Sequence, residues 1–190
     1  MSIIEVLINN KIIDEQDKDI YEYGYRNLKQ YLIFLSAVFI GNLFLENYII
    51  TIIFLVSIFN LRRFGGGLHL NTFSSCLMLS VLITLIIPEV CKISSFSLFF
   101  RVLILIIVDL LFIILPVVDN HNKVLELDEK KEYKKKLLIY VCVYNIILVI
   151  SVMININIVF YSILYAMIVV VISNIIGYLL NIKESGKGLS

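Results

Sequence analysis

The sequence predicts an all-α, polytopic integral membrane protein, a bundle of about six transmembrane helices, and three observations carry that expectation. Of its 190 residues, 60% are hydrophobic and only 16% are charged, against about 45–50% and about 25% in soluble domains. Mean hydropathy is +0.96. The apolar residues also fall in long runs broken by short polar segments. So little polar side chain cannot coat a water-facing globule. With a net charge of +1, no Trp and no long basic tract, nucleic acid is not an expected partner.

Taken in order, the start of the chain has an acid at Glu5 and no uninterrupted apolar core, so it does not read as a signal peptide. Ile4, Leu7 and Ile8 are spaced for a helix face, and Ile20, Tyr21, Gly24, Leu28 and Tyr31 resume one after the acidic stretch Asp14 to Asp19. Residues 1–30 are therefore expected as one or two amphipathic helices on the inner membrane surface. Apolar runs follow at Tyr31–Leu45, Tyr48–Leu61, Leu77–Val90, Phe96–Val118, Leu137–Ile154 and Ile158–Ile182. A crossing wants roughly 20 apolar residues. The last two runs reach that length, and the fourth does so while carrying Arg101 and Asp109. The first three qualify only if their helices continue into flanking residues such as Leu28–Gln30 or Arg62–Arg63. Four crossings with two re-entrant or interfacial helices is the alternative.

With six crossings, fourteen of the sixteen cations share one side, and only Lys92 and Arg101 fall on the other. The positive-inside rule then makes both termini and both long connections cytoplasmic, in a multi-pass protein of the cell membrane. The whole chain, 1–190, reads as one membrane domain, with a cytoplasmic-face segment at 62–76 and a basic loop at 119–136. The three cysteines, Cys76, Cys91 and Cys142, show no CxxC spacing and no disulfide framework. No metal or cofactor is expected.

The stretch from Leu61 to Cys76 differs from the rest: it holds three of eight glycines, one of two histidines and one of three cysteines. A Cys with a His suggests nucleophilic catalysis, in which a thiolate attacks a carbonyl and imidazole accepts and returns the proton. On one straight helix His69 and Cys76 would stand about 10.5 Å apart along the axis, far beyond the roughly 3 Å reach of a nucleophile–base pair. The chain between them must bend. Gly65, Gly66 and Gly67 supply permissive backbone, and Asn71, Thr72, Ser74 and Ser75 are residues that start helices. The consistent picture has His69 in a turn and Cys76 in the first turn of the third crossing, where a helix N-terminus favours a thiolate and offers backbone N–H groups to an oxyanion. A glycine-rich membrane turn with an unrelated cysteine is the competing reading.

The run RRFGGGLHLNTFSSC resembles the signature of the accessory gene regulator protein B (AgrB) family, through its Arg-Arg, its Gly-x-His and its His-x6-Cys spacing. Pro116 to Lys123, followed by Glu126 to Lys136, is similar to that family's basic cytoplasmic loop. The resemblance spans essentially the whole chain. It implies a membrane cysteine endopeptidase of quorum sensing that cuts the C-terminal tail from a short precursor (AgrD) and helps cyclise the remainder to a thiolactone or lactone. It further implies Cys76 as nucleophile, His69 as general base, Arg62 and Gly67 at positions needed for activity, and a homodimer. One departure is plain: the family often shows Tyr-Gly-x-Glu before the first crossing, and here Tyr23-Gly24-Tyr25 leads to Arg26.

Other residues admit two readings. Arg62 and Arg63 would orient an acidic precursor tail or act as topology anchors. Asp119 would orient His69, and His121 is a rival base. Lys130, Lys131, Lys134, Lys135 and Lys136 would attract anionic membrane lipids or contact the precursor. Asp109 reads first as a polar contact inside the bundle. The alternative function is a small non-catalytic transporter or peptide exporter, with Arg101 and Asp109 lining its path.

Overall fold

The computed structural model describes residues 3–10, 12–68, 72–118 and 126–187. Among these the structure is helical: α1 (Ile3–Asn9), α2 (Lys18–Leu45), α3 (Tyr48–Gly65), α4 (Phe73–Ile93), α5 (Leu98–Ile114), α6 (Leu127–Met153) and α7 (Asn157–Lys187). The chain divides into two compact units, residues 1–44 and 45–190. The described residues fit the predicted helical membrane bundle.

In the first unit, α1 is a single short amphipathic helix that buries Ile4. The second amphipathic stripe does not form a separate helix, because α2 runs unbroken from Lys18 through the first apolar run. Gly24, the glycine within that stripe, does not interrupt it, and a Cβ there would meet nothing within 4 Å. Continuity into the flanks is what the short first runs needed: α2 takes in Leu28–Gln30 and α3 takes in Arg62–Arg63.

The second unit is built around α7, which packs against α3, α4, α5 and α6. Its middle is apolar on every side, and Phe160, Tyr161, Leu164, Met167, Val170 and Val171 are all buried. α6 buries Leu137, Val141, Tyr144, Leu148 and Ser151, an alternation of four and three residues that keeps one seam inward. Outward-facing side chains are also apolar, with Ile49, Ile93, Phe99 and Ile114 all more than 70% exposed. In water that would be an aggregation surface; against lipid it is an ordinary contact. Five helices (α2, α3, α4, α6 and α7) are long and apolar enough to cross a membrane. This is a multi-pass membrane protein.

α5 corrects the expectation for the fourth run. The helix covers only Leu98–Ile114, about 25 Å at 1.5 Å per residue, because Pro116 forces Leu115 into extended backbone. It is therefore not one of those five helices. At its start Arg101 donates to Asn157 Oδ1 at the head of α7 (2.8 Å) and lies over the Phe160 and Tyr161 rings. At its end the Phe112 and Leu115 carbonyls accept from Lys134 of α6. Those carbonyls have no partner within their own helix, so the ammonium caps them.

The basic segment expected as a loop through residue 136 is helical from Leu127 onward. Glu126 and Glu129 form a capping box at its start. Lys131 pairs with Asp128 and Lys136 with Glu132 one turn apart, and Lys and Glu are strong helix formers.

Candidate active site

The site begins where α3 stops. Gly66 caps the helix, its N–H donating to Arg62 O at 3.1 Å with φ at +74° and ψ at −143°, a combination essentially reserved for glycine. A Cβ there would stand 2.1 Å from Val118 O, and the Val118 N–H donates to Gly65 O at 3.2 Å. The segment after α5 is thus laid directly on the glycine turn. Gly67, at φ +140°, passes so close to α7 that a Cβ would be 2.6 Å from Ser173 Oγ. On the α7 side, a Cβ on Gly177 would meet Gly67 C and Val118 Cγ1, each at 3.1 Å.

Leu68 is then held at both ends of its backbone. Its N–H donates to Ser173 Oγ at 2.9 Å, and its carbonyl accepts from Arg62 Nη2 at 2.6 Å. A hydrogen bond from a charged donor contributes about 1.5–3 kcal/mol, so the guanidinium is a strong clamp on the residue preceding His69. Arg62 is half-buried in this role, whereas Arg63 is exposed and lies over the Phe64 ring. That ring stacks on Tyr140 and meets Tyr133 edge-on, which anchors the end of α3 to α6.

Downstream, Thr72 caps α4 by accepting from the Ser75 N–H, and its carbonyl accepts the Cys76 N–H at 3.2 Å. Cys76 therefore sits in the first turn of α4, half-buried, at an end where the leading N–H groups have no partner within the helix. α4 packs against both α3 and α7. His69 and Asp119 lie outside the described residues, as does His121. The described chain does bring together their neighbours: Leu68, Gly67, Arg62 and Val118 meet on Ser173 and Gly177 of α7. Cys91 and Cys142 are free thiols far along their helices, and Cys76 is free as well.

Ser173, Asn174 and Gly177 were not among the residues picked from sequence. Their signal is a local one, a polar pair and a glycine interrupting the aliphatic run of α7. Asn174 is 2% exposed, and its Oδ1 has no hydrogen-bond partner among the described residues. The pair that would line a transporter path is split. Asp109 Oδ2 accepts from Asn145 Nδ2 at 2.9 Å in mid-bundle, while Arg101 is engaged at the other end of α5.

The family model of Accessory gene regulator B matches residues 1–177. The chain belongs to the AgrB family. Two curated relatives from Clostridium perfringens carry AgrB-like names: one, from strain SM101, is 29% identical over 130 residues, and the other, from strain 13, is 32% identical over 130 residues. Each alignment covers 65% of this chain and 61% of the relative, so the chain spans about three fifths of their length. No solved structure matches. Membership ties this AgrB-family chain to the accessory gene regulator, a quorum-sensing system, and the fold holds its Arg62–Leu68 segment between α3 and α7.

Proposed function

We propose that this chain is a membrane cysteine endopeptidase that cuts the C-terminal tail from an AgrD-like precursor and passes the remainder on for ring closure. The observation that carries the reading is the double hold on Leu68, by Arg62 and by Ser173. It fixes the residue before His69 against α7, while a capped helix start carries Cys76. Leu68 and Thr72, the described residues on either side of His69, are thereby both tied to helices, Leu68 to α3 and α7 and Thr72 to the start of α4.

The cleavage step needs only a thiol and an imidazole from this chain. His69 takes the Cys76 proton, and the sulfur attacks the scissile carbonyl. The C–N bond breaks, and the tail amine leaves with the proton that His69 returns. The thioester left on Cys76 keeps much of the energy of the cleaved bond. An internal Cys or Ser of the precursor attacks it, closes a thiolactone or lactone, and frees the thiol. Exclusion of bulk water at a membrane face protects the thioester from hydrolysis. Asp119, which follows Val118 in sequence, is the orienting group in this reading, and Arg62 and Gly67 build the turn.

The test is to trap the intermediate. The full chain in liposomes is given an AgrD-like precursor whose internal nucleophile is replaced by alanine. A hydroxylamine-labile adduct, with the mass of the truncated precursor, is expected on Cys76 by mass spectrometry. Cleavage without any such adduct, or an adduct on Cys91 or Cys142, sinks the proposal.

Orientation belongs to the same reading. The end of the second unit that carries the glycine turn also carries Arg62, Arg63 and the α6 lysines, while the opposite end holds Lys92 and Arg101. The positive-inside rule then sets the glycine turn and Cys76 in the cytoplasm. In a chain otherwise free of cysteine, Ser95→Cys should react with an impermeant maleimide on intact cells and Glu129→Cys only after permeabilisation. The reverse pattern overturns the orientation.

A further inference from the structure

Between the end of α5 and the first half of α6 lies an open groove of about 850 Å³ that plays no part in the proposed catalysis. It is lined by Lys130, Lys131, Lys134 and Lys135 in the first turns of α6, and otherwise by apolar side chains of the end of α5 and of α6 as far as Ile146. We propose that this groove is a binding site for an anionic phospholipid, with the headgroup among the lysines and an acyl chain along the apolar side chains.

Charge, dimensions and hydrogen-bonding capacity each point to that occupant. Residues 127–136 contain Asp128, Glu129 and Glu132 beside five lysines, yet none of the three acids lines the groove, so the lining is cationic. Lys134 is held in place by the Phe112 and Leu115 carbonyls and has a third N–H for a phosphate oxygen. The ion pair of Lys131 with Asp128 is 78% and 93% exposed, and an exposed pair of that kind is weak. From Lys135 to Ile146 the helix rises about 16 Å, which matches one leaflet of a roughly 30 Å hydrocarbon core. Beneath the lysines the lining offers Leu138, Ile139, Cys142, Val143 and Ile146, with no amide, carboxyl or hydroxyl group. An extended peptide laid there would leave its backbone unpaired in an apolar setting. An acyl chain has nothing to pair.

The chain has no tryptophan, so Cys142→Trp places a single reporter in the groove. The full-length variant goes into vesicles of phosphatidylcholine containing increasing phosphatidylglycerol, with bromine on the acyl chains of one lipid or the other. Quenching by brominated phosphatidylglycerol should saturate at a mole fraction about tenfold below that for brominated phosphatidylcholine. Lys131→Gln with Lys135→Gln should reduce the preference to that of a control reporter, Ile49→Trp, at the exposed start of α3. Equal quenching by the two lipids, or a preference that survives the double substitution, overturns the proposal. So does quenching that rises in proportion to mole fraction without saturating, which marks diffuse attraction. Relief of phosphatidylglycerol quenching by a soluble acidic peptide would assign the groove to the precursor instead, and overturn it equally.

Discussion

Replacing Cys76 by alanine is expected to lower precursor cleavage by about a thousandfold or more, with insertion and abundance in the membrane unchanged. The thiol is half-buried in the first turn of a helix whose start is capped independently by Thr72, so its loss removes one sulfur and leaves the cap in place. His69→Ala should match it, and the double variant should be no worse than either single one. Nucleophile and base act as a unit, and the second deletion removes nothing the first has left working. Cys76→Ser is the more telling control. It keeps the shape and the hydrogen-bonding capacity, yet a hydroxyl with the same base is a far weaker nucleophile without further activation. Cleavage of a labelled precursor in isolated membranes measures all four. Substantial turnover in Cys76→Ala and His69→Ala together would return the chain to the class of transporters, with the glycine run as a hinge.

Local signals in the sequence reach some of this arrangement and stop short of the rest. The apolar runs locate the long helices, though the fourth yields one too short to count among the five able to cross a membrane, and the helix-starting residues before Cys76 locate the head of α4 within a residue or two. Hydropathy carries through Pro116 to Val118, but the helix ends at Ile114, because the constraint there is backbone geometry and not polarity. The lysine-rich stretch looks like a loop by composition alone. It is helical because Lys and Glu are strong helix formers and Glu126 and Glu129 cap its start. What no local pattern conveys is the partner of the glycine turn. Leu68 and Ser173 are 105 residues apart, and the requirement for glycine at 66 and 67 becomes visible only once Val118 and α7 are seen against them. The sequence shows that the backbone must bend; the packing of α3, α5 and α7 shows against what.

Gly66→Ala is the second substitution with a large expected effect, and it separates a positioned turn from a merely flexible one. The new Cβ would stand 2.1 Å from the Val118 carbonyl oxygen, a backbone atom that cannot swing aside as a side chain would. The residue would also have to hold a φ of +74°, which costs a non-glycine residue about 1–3 kcal/mol on its own. The turn must therefore move away from the segment after α5, carrying Leu68 out of reach of Arg62 or Ser173. A displacement of about 1 Å at a reacting group costs about a hundredfold in rate, so cleavage should fall by that order while Gly24→Ala, in open space on α2, leaves it unchanged. Gly67→Ala probes the other wall. Its Cβ would lie 2.6 Å from Ser173 Oγ, the atom that accepts the Leu68 N–H. Combining it with Ser173→Gly removes the collision and the hydrogen bond together, so the double variant should lose less than the sum of the two single losses. Wild-type cleavage by Gly66→Ala, or simple additivity of Gly67→Ala and Ser173→Gly, would mean that the turn does not set the position of His69.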